Sequence, residues 1–137
     1  MKTFRTPPCI NYNNSKGVQK NSCLAKKVLF SNDFKCQINK NHTTFKKEDG
    51  TFYMEGHHLI PCTPKNASNF WNRYKVNIDC FENITCICPI CHRAIHFGNK
   101  KERKIKIEEL YNQQKNQLKK ININITLNEL FELYNIL

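Results

Sequence analysis

Apolar residues recur at helical spacing in three stretches of the chain. The first, from about Ser22 to Asp33, sets Leu24, Val28 and Leu29 on one face, with Ser22 as the candidate cap. The second runs from about Lys101 to Lys119 and aligns Ile107, Leu110, Tyr111 and Leu118. The third starts at Thr126, where "TLNE" has the form of a capping box, and carries Leu127, Leu130, Phe131 and Tyr134. Between the first two the pattern changes. The "EDG" step is a hairpin turn signal, and "TFYMEGHHLI" after it has strand composition and ends at Pro61. Pro64 is expected to keep the next segment irregular, with "SNFWNRY" as a short helix or turn on the core. "NITCICPICHRAIHFG" reads as a short strand, Ile84 to Ile87, then a knuckle from Cys88 to Cys91 and a helix beginning near His92. Gly98 is placed to stop that helix. These elements predict an α+β domain. Residues 1–21 read as a basic flexible arm, 22–99 as the core, and 100–137 as helices packing on it.

An apolar fraction of 39% over 137 residues gives a thin core, and a structural metal is the expected support. Lys and Arg number 22 against 11 acidic residues, a net charge of +11 that points to a polyanion, most commonly nucleic acid. Solubility, or the lysine bias of an AT-rich genome, is the plainer account of the same excess. No apolar leader or membrane-length segment is present, so a cytoplasmic location is expected. In a reducing compartment, eight cysteines mean metal binding before disulfides.

Only Cys88 and Cys91 form a C-x-x-C pair. His92 follows at once, whereas a finger with two cysteines and two histidines needs about a dozen residues between its pairs. One shared zinc therefore fails on spacing. Taken apart, Cys88 and Cys91 supply half of a tetrahedral structural zinc, and Cys36 is the natural third ligand. His42 can close a Cys3His site, although a solvent-facing loop histidine is nearly as good a reading. Cys86 is the substitute. Cys9, Cys23, Cys62, Cys80 and Cys86 otherwise read as free thiols. His92 and His96 project from one helical face. His57 and His58, adjacent on a strand, point to opposite sides, so one can enter a metal site while the other faces substrate.

The pattern "MEGHHLIP" … "ENITCICPICHRAIHFG" resembles the HNH motif of the His-Me finger endonucleases, closely over about Cys36 to Gly98 and loosely beyond. The resemblance implies a ββα-metal core with a structural zinc knuckle and flanking helices. It makes His58 the general base, and Asn83 the residue fixing the loop that holds that base. His57 and His92 become ligands of the catalytic metal, with His96 a third ligand or a phosphate contact. Family members with a structural zinc commonly carry two C-x-x-C knuckles; here Cys36 and His42 stand in place of the first. All-imidazole ligands favour Zn2+, Ni2+ or Mn2+, while Mg2+ could still act through phosphate oxygens.

Arg93, Lys100, Lys101, Arg103 and Lys104 flank this region as candidate contacts to DNA phosphates; a solvated helix start is the competing account. Lys2, Arg5, Lys16 and Lys20 add non-specific contacts from the arm. The expected function is metal-dependent DNA cleavage. The alternatives are a non-catalytic zinc-binding nucleic-acid module of the same fold and a structural zinc protein that binds a protein partner. A double-strand cut by one active site would call for a homodimer, and a short chain leaves sequence specificity to a partner.

Overall fold

The computed structural model describes residues 3–11 and 17–137, and is an α+β structure. Lys2 and Lys16 lie outside the described residues. Near the N-terminus, a 3-10 turn at Thr3–Arg5 precedes strands β1 (Ile10–Asn11) and β2 (Gly17–Val18), which pair antiparallel. Helix α1 spans Ser22–Ser31. Its cap is Asn21, one residue earlier than expected, because the Asn21 carboxamide accepts from the Cys23 N–H at 3.0 Å.

The predicted 51–60 strand is shorter in the structure. Strand β3 covers only Glu55–His58 and pairs antiparallel with β4 (Ile84–Ile87), setting His57 opposite Thr85 and His58 opposite Ile84. The preceding residues are occupied elsewhere. Gly50 takes a φ of 85° in the "EDG" turn, the Lys47 N–H reaches Thr51 O, and the Tyr53 N–H reaches Phe45 O. The turn signal was read correctly, but it closes a small local loop and not the principal hairpin. Helix α1 lies across β3, close enough that a Cβ at Gly56 would sit 3.0 Å from the Ala25 Cβ.

Two expected helix starts need correction. Helix α2 runs from Pro64 to Tyr74, so Pro64 begins a helix. Thr63 caps it, and at the first helical position the missing proline N–H leaves no bond unmade. Helix α3 (Pro89–Phe97) likewise opens on a proline, three residues before His92. The cysteine knuckle is therefore its cap and first turn, with Cys88 Sγ accepting from the Cys91 N–H at 3.4 Å.

Helices α4 (Lys100–Lys120) and α5 (Leu127–Leu133) close the structure. The capping box at Thr126 and Glu129 is formed. Helix α4 buries Ile107, Leu110, Gln114 and Leu118, a stripe that meets α3 and the 3-10 turn Phe81–Asn83 leading into β4. Gln114 is the polar member of that stripe. Its amide donates to Glu82 O at 3.0 Å and its oxygen accepts from Gln37, so the buried groups are satisfied.

Candidate metal centres and the histidine-lined cleft

Cys36, His42, Cys88 and Cys91 converge, with their ligand atoms all within 4.8 Å of one another. Cys36 comes from the loop after α1, His42 from the turn that follows, and the other two from the cap and first turn of α3. His42 Nδ1 lies 3.4 Å from Cys91 Sγ and 3.7 Å from Cys88 Sγ. The three sulfurs are buried. The Cys36 thiol is held far below its usual range, chiefly because the Cys91 S–H donates to it, and the Cys91 thiol is raised by the same contact. Three buried sulfurs and one half-buried imidazole, sharing protons that a cation would displace, fit a tetrahedral zinc. Cys86 is absent from the group: it is buried on β4, and burial pushes its thiol up to about 12.

Glutamines hold this loop to the sheet. Gln37 N–H donates to Cys86 O at 2.8 Å and Gln37 Oε1 accepts from Cys86 N at 2.7 Å, while Gln113 Nε2 donates to Gln37 O from α4.

Further along α3, His57, His92 and His96 form a second group within the same 4.8 Å limit. Hydrogen bonds set the tautomer of two of these rings, His57 and His92. Tyr134 OH lies 2.5 Å from Leu59 O and 2.9 Å from His57 Nε2. One hydroxyl carries one proton; donated to Leu59 O, it leaves the oxygen to accept His57 Nε2–H. His57 Nδ1 is then the free electron pair. Burial, reinforced by the neighbouring His92, His96 and His58, pushes the His57 pKa well below the usual histidine value. His92 Nδ1 donates to Glu55 Oε1 at 2.8 Å, which frees Nε2. Tyr53 OH in turn donates to the other Glu55 oxygen at 2.9 Å, and the Glu55 carboxyl is held low chiefly by His92. Burial, His92 and Arg103 lower the His96 pKa. Three imidazoles facing one another are a donor set for a borderline divalent cation.

His58 points the other way. Its Nε2 lies 2.8 Å from Oδ1 of Asp79, a buried carboxylate whose Oδ2 accepts from the Asn21 N–H at 2.7 Å. Since a carboxylate only accepts, Nε2 carries the proton and Nδ1 is left basic. A cleft of about 320 Å³ is lined by His57, His58, His92 and His96 together with Lys20 and Cys62.

Asn83 is fully buried and secures the chain beyond β3. Its Oδ1 accepts from Ile60 N at 2.8 Å, and its Nδ2 donates to Ile60 O and Ile78 O at 3.0 and 2.8 Å. The link to Ile78 ties the end of β3 to the loop that carries Asp79.

The basic candidates divide. Arg93 and Lys101 are exposed. Lys100 reaches Leu137 O at 3.1 Å, and Lys104 lies 5.3 Å from the centre of the Phe131 ring. Arg103 turns inward, donating to Ile95 O at 2.7 Å and Tyr134 O at 3.3 Å. Its guanidinium joins α3 to the end of α5.

Asp79, Glu55 and Tyr134 are site residues that the sequence reading missed. Glu55 had a signal, since it stands two residues before His57 and shares its face of the strand. Asp79 and Tyr134 had none in the motif.

No protein-family model matches the chain. Over 76 residues it is 33% identical to the type IV methyl-directed restriction enzyme EcoKMcrA of Escherichia coli (strain K12). That match covers 56% of this chain and 23% of the enzyme, so the chain corresponds to less than a quarter of the curated relative. None of the described helices is long and apolar enough to cross a membrane. The chain is distantly and partially similar to a restriction enzyme and carries two Cys/His groups able to hold metal ions.

Proposed function

We propose that this protein is a metal-dependent DNA endonuclease of the HNH type, built on a ββα-metal unit made of β3, β4 and α3. The observation that carries the reading is the division of labour at His57 and His58. Adjacent in the chain, they present a metal-ligand tautomer in one direction and a carboxylate-oriented base in the other, on one cleft.

His58 is the general base. With Nε2–H committed to Asp79, Nδ1 is the atom that takes a proton from the attacking water, and the carboxylate stabilises the imidazolium that results. His57 Nδ1, His92 Nε2 and a nitrogen of His96 are the donors for a divalent cation such as Zn2+, Ni2+, Mn2+ or Mg2+. When bound, such a cation supplies Lewis-acid stabilisation of the phosphoryl charge. Asn83 acts through position: it holds the end of β3 and the Asp79 loop in register, so base and carboxylate stay aligned. The Cys36, His42, Cys88 and Cys91 group holds a structural zinc that fixes the first turn of α3, and with it the direction of His92 and His96.

The nuclease core is residues 22–99, with 100–137 supporting it through Tyr134 and Arg103. Arg93 and Lys101 are the free cations best placed to contact DNA backbone. The similarity to part of a restriction enzyme supports the reading.

Plasmid nicking tests it. Cleavage should appear with divalent metal, vanish in EDTA, return on metal addition and be lost in His58→Ala, while DNA binding persists. DNA binding by the wild type without cleavage under any metal would replace this reading with a non-catalytic zinc module of the same fold.

A further inference from the structure

Beside the cleft lies a larger groove of about 610 Å³, built between the N-terminal segment and the core. One wall is the segment that runs through Thr6, Pro7, Gln19 and Lys20; the other is the loop at Asn77 and Asp79, with buried Leu24 of α1 between them. The walls are joined by one backbone bond, Asn77 N–H to Phe4 O at 2.7 Å, and the N-terminal wall is held together by Gln19 N–H to Cys9 O at 2.8 Å.

The groove adjoins the catalytic side. Lys20 lines both spaces, and Asp79 lines the groove while its hydrogen-bond partner His58 lines the cleft. We infer that the groove is the subsite for the nucleotide of the substrate strand next to the scissile phosphate. This rests on the nuclease reading above and adds the component that reads the strand.

The lining suits that ligand. Lys20, whose ammonium lies 3.4 Å from Val18 O, is shared by the two spaces and supplies the cation for a phosphate bridging them. Pro7 offers exposed apolar surface to the face of a base, with the buried Leu24 at the floor. Gln19 and Asn77 present carboxamides, which both donate and accept along a base edge. Asn77 Oδ1 is taken by the Asp79 N–H, leaving its NH2 to donate. Asp79, the one carboxylate in the wall, has both oxygens engaged by hydrogen bonds within the protein. A volume of this order is that of a ligand pocket, larger than the adjoining cleft.

Two exposed thiols supply the test. Cys9 lines the groove and Cys23, on α1, does not. In the His58→Ala protein, where DNA stays intact, alkylation by a maleimide is followed at each cysteine by peptide mass spectrometry. A short fluorescent DNA duplex, with binding checked by anisotropy, should slow modification of Cys9 severalfold and leave Cys23 unchanged. Gln19→Ala should weaken DNA binding about tenfold. Unchanged reactivity of Cys9 while DNA is bound would overturn the assignment. If the wild type nevertheless nicks plasmid, only the groove assignment fails. If the wild type neither binds nor nicks DNA, the nuclease reading fails and takes the groove assignment with it.

Discussion

His58 and Asp79 are joined by a 2.8 Å hydrogen bond between Nε2 and Oδ1, and the carboxylate is anchored in turn by the backbone of Asn21. The orientation of the proposed base thus depends on a residue outside the motif and on the chain entering α1. Asp79→Asn should test this. A carboxamide can turn its NH2 toward Nε2 and favour the tautomer that puts the proton on Nδ1. Single-turnover cleavage should fall about 10²–10⁴-fold. Circular dichroism and zinc content should be unchanged. A rate near wild type would show that Asp79 does not set the tautomer.

Tyr134→Phe removes the hydroxyl that accepts from His57 and donates to Leu59 O. Both partners are buried, so the loss should destabilise the fold by about 1–3 kcal/mol. Metal affinity at the histidine site should drop about 10–100-fold, since the His57 tautomer is no longer held. Denaturant unfolding and a metal titration read the two effects separately.

The sulfur site predicts a contrast between neighbours on the chain. Cys91→Ser should lower bound zinc and broaden or abolish the cooperative melt, as structural zinc binding contributes directly to folding. Cys86→Ser, two residues before Cys88, should leave zinc stoichiometry untouched. Loss of zinc in Cys86→Ser would require a different ligand set.

Acid should destabilise the protein through His57. Its folded pKa lies well below the ordinary 6.5, so as pH falls below that value the unfolded chain takes up a proton that the native state refuses. The stability this group contributes is complete above about 6.5 and is lost as pH falls toward the folded pKa. The slope at that group approaches about 1.4 kcal/mol per pH unit. Urea midpoints measured against pH should fall more steeply for wild type than for His57→Asn.

The sequence made the sulfur site readable because a C-x-x-C pair is local and its partners, Cys36 and His42, are few in kind. It made the histidine faces readable through two periods, four residues on α3 and two on β3. The same period of two would have found Glu55. Asp79 was not readable, because its link to His58 spans 21 residues of chain through a loop without a motif. Tyr134 falls on the apolar face of the last helix, where the pattern reads it as core; it is buried, yet its hydroxyl hydrogen-bonds His57. The proline at Pro64 misled for a physical reason, since the residue that breaks helices is also well suited to begin one.

Helix α3 carries members of both metal groups within the nine residues from Cys88 to His96. The two centres therefore share one angular coordinate. A single alanine inserted between Cys91 and His92 would leave all seven ligands in the chain but swing the histidines about 100° around the axis. Zinc would still bind, the helix would still form, and the imidazoles would face away from His57. Length at this one peptide bond is constrained as strictly as residue identity.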